Sequence, residues 1–276
     1  MPLNIVPIGS LDDSRLTPYR NLRERTLRGE SAFIAEGHLV AERLLDSTFE
    51  TESLLTWSEG VANFPSSFAA KLKGKPVFTL HRKEDISQIA GFPFHQGILA
   101  LGRRKPLPDF LQGMRQWGSD PGTWIILPNA TKPDNLGLVF RSAAALGASG
   151  VVLGERCCDP FSRRALRVSM GGVLQVPIFQ ARNLRREITA LRKTSALHFY
   201  ATLLDANAVN LSSFQRRPEQ VAILFGNEYS GLDPEDAALC DLKLTIPMAP
   251  NVDSLNLGVS VGIFLYVLRL LPTSTQ

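Results

Sequence analysis

Cysteine is scarce in this chain, and histidine hardly less so. Three cysteines in 276 residues (Cys157, Cys158, Cys240) give no even framework and no CxxC pair with zinc spacing. The adjacent pair Cys157 and Cys158 cannot easily bridge each other or chelate one metal together, so reduced thiols in a cytoplasm are expected. The four histidines (His38, His81, His95, His198) are scattered, without HExxH or similar spacing, and a metal enzyme is not expected. There is no GxGxxG and no GxxxxGK[ST], which removes the fingerprints of dinucleotide and P-loop binding. The opening residues MPLNIVPIGSLDDSR have neither a basic nor a long apolar region, so no secretory signal is expected. The one long apolar stretch, Leu255 to Leu271, carries Asn256, Ser260 and Arg269 and is short for a membrane span. A buried helix is expected there.

What is present fits an ordinary globular protein: 44% hydrophobic residues, 20% charged and a mean hydropathy near zero. The length suits two domains, or one domain with an appendage. Net charge is +4, a weak pointer to a polyanion, but its distribution says more. Between Arg156 and Lys193 stand nine basic residues against two acids, a local +7 that leaves −3 for the remainder. Eight of the nine are arginine, whose planar fork suits phosphates. A solvated helix face is the competing reading of the same pattern.

Hydrophobic patterning divides the chain. Strands are expected at 31–37, 53–57, 76–80 and 96–104, with helices at 38–47 and 83–90, a small α/β arrangement. The segment PLPDFLQGMRQWGSDPG (106–122) holds three prolines and three glycines and reads as punctuation, so the domain boundary is placed there. The expected domains are 1–110, with a linker over 106–122, and 123–276. Beyond the boundary, continuous apolar runs at 123–129, 148–154, 198–205, 221–227 and 242–248 alternate with helical patterns at 135–146, 162–170, 182–193, 234–240 and 254–271. That is the signature of a parallel sheet covered on both faces. Ligands of such sheets sit beyond the strands' carboxyl ends, which directs attention to the loops after Pro128, Phe225 and Pro247.

Three segments carry candidate chemistry. In PDNLGLVFRSAAALG (133–147), Asp134 or Asn135 can cap a helix and Gly147 can close it. Arg141 lies in a helix otherwise fit for burial, and is either an active-site arginine or one paired on the surface. In LFGNEYSGL (224–232), Gly226 and Gly231 permit tight turns near a ligand, and Asn227 and Glu228 offer a donor and an acceptor. The bland alternative is a strand-to-helix turn capped by Ser230 or Asp233. In IPMAPNVDSLNLGVSVG (246–262), Ser254 can cap the terminal helix, and the Asn256 amide needs partners if buried. GVSVG (258–262) matches a nucleophile elbow, but its serine lies in a helical pattern and no histidine follows His198, so a hydrolase is rejected.

These three segments, in this order, resemble the three motifs of the SpoU (TrmH-type) RNA 2′-O-methyltransferases of the SPOUT superfamily, over about 123–271. RVSMGG (167–172) is similar to the family's RxSxGA segment, with Gly172 where alanine is usual. FIAEGHLV (33–40) and HQGILA (95–100) resemble the small substrate-binding domain that precedes the catalytic domain in many members. The resemblance implies a catalytic α/β domain with a trefoil knot, against the general rule, and S-adenosylmethionine (SAM) held around Gly226, Ile246, Met248 and Leu255. It implies catalytic positions at Asn135, Arg141, Glu228, Ser254 and Asn256, and a homodimer with its site near the interface. Arg163, Arg164 and Arg167 are the expected RNA contacts. The expected substrate is a ribose 2′-hydroxyl, in ribosomal RNA ahead of transfer RNA. A base-methylating relative, and a non-catalytic RNA-binding protein on the same scaffold, are the alternatives.

Overall fold

A computed structural model of the chain describes residues 2–22, 31–117, 121–205, 207–227, 229–252 and 254–273, with 115–117 described in backbone only. It divides into two compact units, Met1–Lys105 with Asp159–Gln175, and Pro106–Cys158 with Val176–Gln276.

The first unit is built from β1 (Asn4–Pro7), β2 (Ala32–Glu36), α1 (His38–Asp46), β3 (Thr51–Trp57), α2 (Ser67–Leu72), β4 (Pro76–Leu80), α3 (Lys83–Ala90) and β5 (Leu99–Arg103). The sheet order is β1-β4-β3-β5-β2, with β1, β4 and β3 parallel and β5 antiparallel to both its neighbours. Ile34, Leu55, Phe78 and Leu80 of the sheet pack with Ile86 and Ile89 of α3 and with Tyr19. The two short signatures of this half meet: the Gly37 N–H donates to the Ile98 carbonyl at 2.9 Å. Gly97 has φ +85°, and a Cβ there would stand 2.5 Å from His38 Nε2, so both backbone and space require glycine.

The second unit starts earlier than the sequence suggested. Where 106–122 read as punctuation, α4 (Phe110–Trp117) forms, and Phe110 and Met114 are buried in the core of this unit. Apolar residues at 110, 111 and 114 give one helical face, masked in the sequence by the flanking prolines. There follow β6 (Gly122–Leu127), α5 (Pro133–Leu146) and β7 (Gly150–Leu153). The chain then passes to the first unit, where α6 (Arg163–Val168) packs on β2. It returns through β8 (Ile178–Gln180), α7 (Leu184–Thr194), β9 (His198–Thr202), β10 (Val209–Asn210), β11 (Gln220–Leu224), α8 (Pro234–Ala238), β12 (Leu242–Thr245) and α9 (Leu257–Leu270).

Seven parallel strands, ordered β10-β12-β9-β11-β6-β7-β8, make this sheet. All five residues of β11 are buried, as an apolar strand covered on both faces requires. α5 and α9 pack together, and Ser142 Oγ donates to the Gly258 carbonyl at 3.2 Å. No helix among the described residues is long and apolar enough to cross a membrane.

Candidate active site

Parallel strands bring all their carboxyl ends to one edge, and a cavity of about 510 Å³ opens there. Its walls come from the ends of β9 (Thr202) and β12 (Thr245), from Phe225 just past β11, and from the loops that follow. Gly226, Ile246, Met248 and Leu255, from separate stretches of sequence, all line it, as does Ser254. Of the three loops expected to carry chemistry, those after Phe225 and Pro247 form walls. The loop after Pro128 stands beside them, its Asn129 carbonyl accepting from Asn227 Nδ2 at 3.3 Å. Asn129 Oδ1 is buried without a hydrogen-bond partner among the described residues.

The loop 226–231 is a closed turn. Asn227 and Gly231 exchange backbone hydrogen bonds of 3.0 and 2.8 Å. A Cβ on Gly226 would lie 2.2 Å from the Leu232 nitrogen, so the glycine is required by the turn itself, whatever the cavity holds. Glu228 lies outside the described residues. Tyr229 is 82% exposed, and Lys132 from the start of α5 donates to its hydroxyl at 3.0 Å. Asp233, one of the two caps foreseen, holds α8 by accepting the Glu235 N–H at 2.9 Å.

The first and third motifs meet at a pair of amides. Asn256 Nδ2 donates to Asn135 Oδ1 at 2.8 Å, with Asn135 buried at the start of α5. Asn256 Oδ1 accepts the Gly258 N–H at 2.9 Å, so Asn256 caps α9, not Ser254 as the sequence suggested. Asp134 and Asn135 do not cap α5 either. Pro133 opens the helix after Lys132, with no side-chain cap, and Gly147 closes it at φ +72°. Asn256 and Asn135 thus fix the loop that carries Ser254 and Leu255. Arg141 is exposed, six residues beyond Asn135 and outside the residues lining the cavity. Six residues turn a helix by about 240°, which puts the two side chains on different faces.

The arginine-rich segment is divided between the two units. Its members at 163, 164 and 167 belong to the first unit, and those from 182 onward to the second. Arg163 pairs with the buried Glu36 at 2.7 Å and lies over the Phe92 ring at 3.9 Å. Arg167 stands 4.0 Å from the same carboxylate, while Arg164 is exposed. In α7 and before it, Arg182 pairs with Asp109, Arg185 with Asp233, and Arg192 with Asp241. Much of the local +7 is therefore matched by acids distant in sequence, which a count along the chain could not show.

Cys157, past the end of β7, is buried beside the end of β6. Its Sγ donates to the Leu127 carbonyl at 3.1 Å and accepts the Ala130 N–H at 3.3 Å, and burial pushes the thiol up to about 11. A thiol so protonated is a packing group, not a nucleophile.

Comparison with known proteins places this geometry. The model of the SpoU rRNA Methylase family matches residues 122–266. An uncharacterized tRNA/rRNA methyltransferase of Mycobacterium bovis is 32% identical over 271 residues, covering 96% of this chain and 91% of the relative. The 23S rRNA (guanosine-2′-O-)-methyltransferase RlmB of Acinetobacter baylyi is 32% identical over 187 residues, covering 67% of this chain and 74% of that protein. Among solved structures, the AdoMet-bound rRNA methyltransferase from Sinorhizobium meliloti superimposes with a TM-score of 0.81 at 28% identity, covering 96% of this chain and 98% of that one. With a family model over more than half its length and a third of its residues shared with a full-length relative, the chain belongs to the SpoU rRNA methylase family.

Proposed function

We propose that this RNA methyltransferase uses SAM to methylate a ribose 2′-hydroxyl of ribosomal RNA, acting as a cytoplasmic homodimer. The observation that carries the cofactor assignment is the convergence of Gly226, Ile246, Met248 and Leu255 on one cavity of about 510 Å³, a volume suited to a nucleotide-sized ligand. The apolar wall (Phe225, Leu244, Leu257, Phe264) suits an adenosine, and the loop backbones offer polar groups beside it. The ribose assignment draws on the RlmB relative. The dimer draws on α9, where Val259, Tyr266 and Leu270 are 49%, 57% and 66% exposed and a second copy would cover them.

SAM, when bound, supplies an electrophilic methyl group. What is left to the chain is alignment of the hydroxyl and help with the loss of its proton. Arg141 is assigned to the substrate: a guanidinium holds its proton too firmly to serve as a base, so it orients the ribose or an adjoining phosphate and stabilises charge. Asn135 holds Asn256, and through it the loop of Ser254 and Leu255; Glu228 is assigned to positioning the ribose. Arg164 and Arg167 are assigned to RNA phosphates, with Arg164 the more open of the two, while Arg163, expected to join them, is assigned to the buried Glu36. The first unit is taken as an RNA substrate-binding domain and the second as the catalytic domain.

Calorimetry on the full chain tests the cofactor assignment. SAM should bind once per chain, and Ile246→Trp, which fills the cavity, should abolish the heat while leaving unfolding of the ligand-free protein unchanged. A folded wild-type chain that gives no heat with SAM or its demethylated product contradicts the assignment.

A further inference from the structure

An exposed tyrosine is ordinary when it stands alone. Tyr229 does not. Its backbone N–H is held by Asn227 Oδ1 at 2.9 Å, inside the closed turn between Asn227 and Gly231. Asn227 is itself tied to the neighbouring loop through the Asn129 carbonyl. The Lys132 ammonium lies 4.4 Å from the centre of the Tyr229 ring and donates to its hydroxyl. The ring is thus fixed from two elements, left 82% open, and set on the lining of the cavity assigned to SAM. Nothing in the chemistry of methyl transfer requires an aromatic group there.

Resting on the RNA reading above, we infer that Tyr229, with Lys132 against its ring, is a stacking platform for a nucleobase of the RNA beside the ribose that is methylated. For a 2′-hydroxyl to reach a cavity at the sheet edge, its nucleotide must leave the helical stack, and the unstacked base needs a new face. Aromatic rings with an adjoining cation supply one for any base, and the cation also suits the phosphate that follows. Tyr229 is therefore an RNA-binding residue that acts on RNA affinity for whichever base is unstacked, without contact to the transferred methyl. A rigid ring gives up little conformational freedom on binding.

The test compares the full-length wild type with Tyr229→Phe and Tyr229→Ala, using RNA purified from cells that lack this gene as methyl acceptor and SAM calorimetry in parallel. Tyr229→Ala should raise KM for RNA roughly tenfold, the lower part of what one stacked base contributes, with kcat within about twofold. Tyr229→Phe should stay within about twofold in both, because the ring face is retained. SAM affinity should be the same in all three. An unchanged KM in Tyr229→Ala overturns the platform. So does a parallel loss of SAM affinity, which would put the ring against the cofactor's adenine. A defect in Tyr229→Phe equal to that of Tyr229→Ala would also overturn it, since the hydroxyl contact with Lys132 would then be what matters. A wild type that transfers no methyl to this RNA overturns the RNA reading and the platform together.

Discussion

At the scale of residues, the arginine of the first motif carries the sharpest question. Arg141 is exposed and stands apart from the cavity that gathers Ser254 and Leu255. Its assigned role is to meet a substrate group, and the planar fork, not the charge alone, makes such a contact bidentate. Arg141→Lys should therefore lose nearly as much methyl transfer as Arg141→Ala, on the order of a hundredfold or more in kcat/KM, with SAM affinity unaltered. Turnover largely kept by Arg141→Lys would reduce the residue to a local positive charge. That Gly226, Ile246, Met248 and Leu255 would come together was legible only through the resemblance of their segments to the family's motifs. The caps were not legible: Asn256 and Ser254 lie two residues apart, both suit an N-cap, and only the Asn135 amide decides between them. Tyr229 escaped notice because its significance lies in a lysine 97 residues away.

At the scale of elements, α6 separates two uses of arginine. Arg163 holds β2 through the buried Glu36, Arg167 stands 4.0 Å from the same carboxylate, and the Arg164 side chain reaches into solvent. Replacing Arg164 and Arg167 together should weaken RNA binding and flatten the log–log salt slope by about 1.4 if both contact phosphate on single-stranded RNA. Arg163→Ala should instead lower stability, because it strands a buried carboxylate. A wild-type salt slope in the double variant would leave these two arginines as solvated charge. The longer elements were readable from periodicity: α3, β4, α5 and α9 lie close to where the pattern put them. The strands β1, β8 and β10 were not: β8 and β10, of three and two residues, are too short to show a period, and β1 is mostly exposed, without the continuous apolar run that marked β7 and β12. α4 was hidden by its proline-rich approach, and its place in the core is decided by contacts that sequence spacing does not encode.

At the scale of the whole molecule, two α/β units share one chain, and residues 159–175 of the second half of the sequence belong with the first unit. Linear reading put the division at one point because composition changes there. Contacts put it at three, because the excursion between β7 and β8 buries Phe161 and Leu166 within the first unit. This architecture is assigned one reaction, and the position of the methyl group tests that assignment most directly. RNA from cells with and without the gene should be digested to nucleosides and mapped by mass spectrometry. One nucleotide of ribosomal RNA should carry a methyl on its ribose 2′-oxygen in the presence of the gene and lose it in its absence. A methyl on a base, or on a transfer RNA alone, or no difference between the two RNAs, would contradict the assignment.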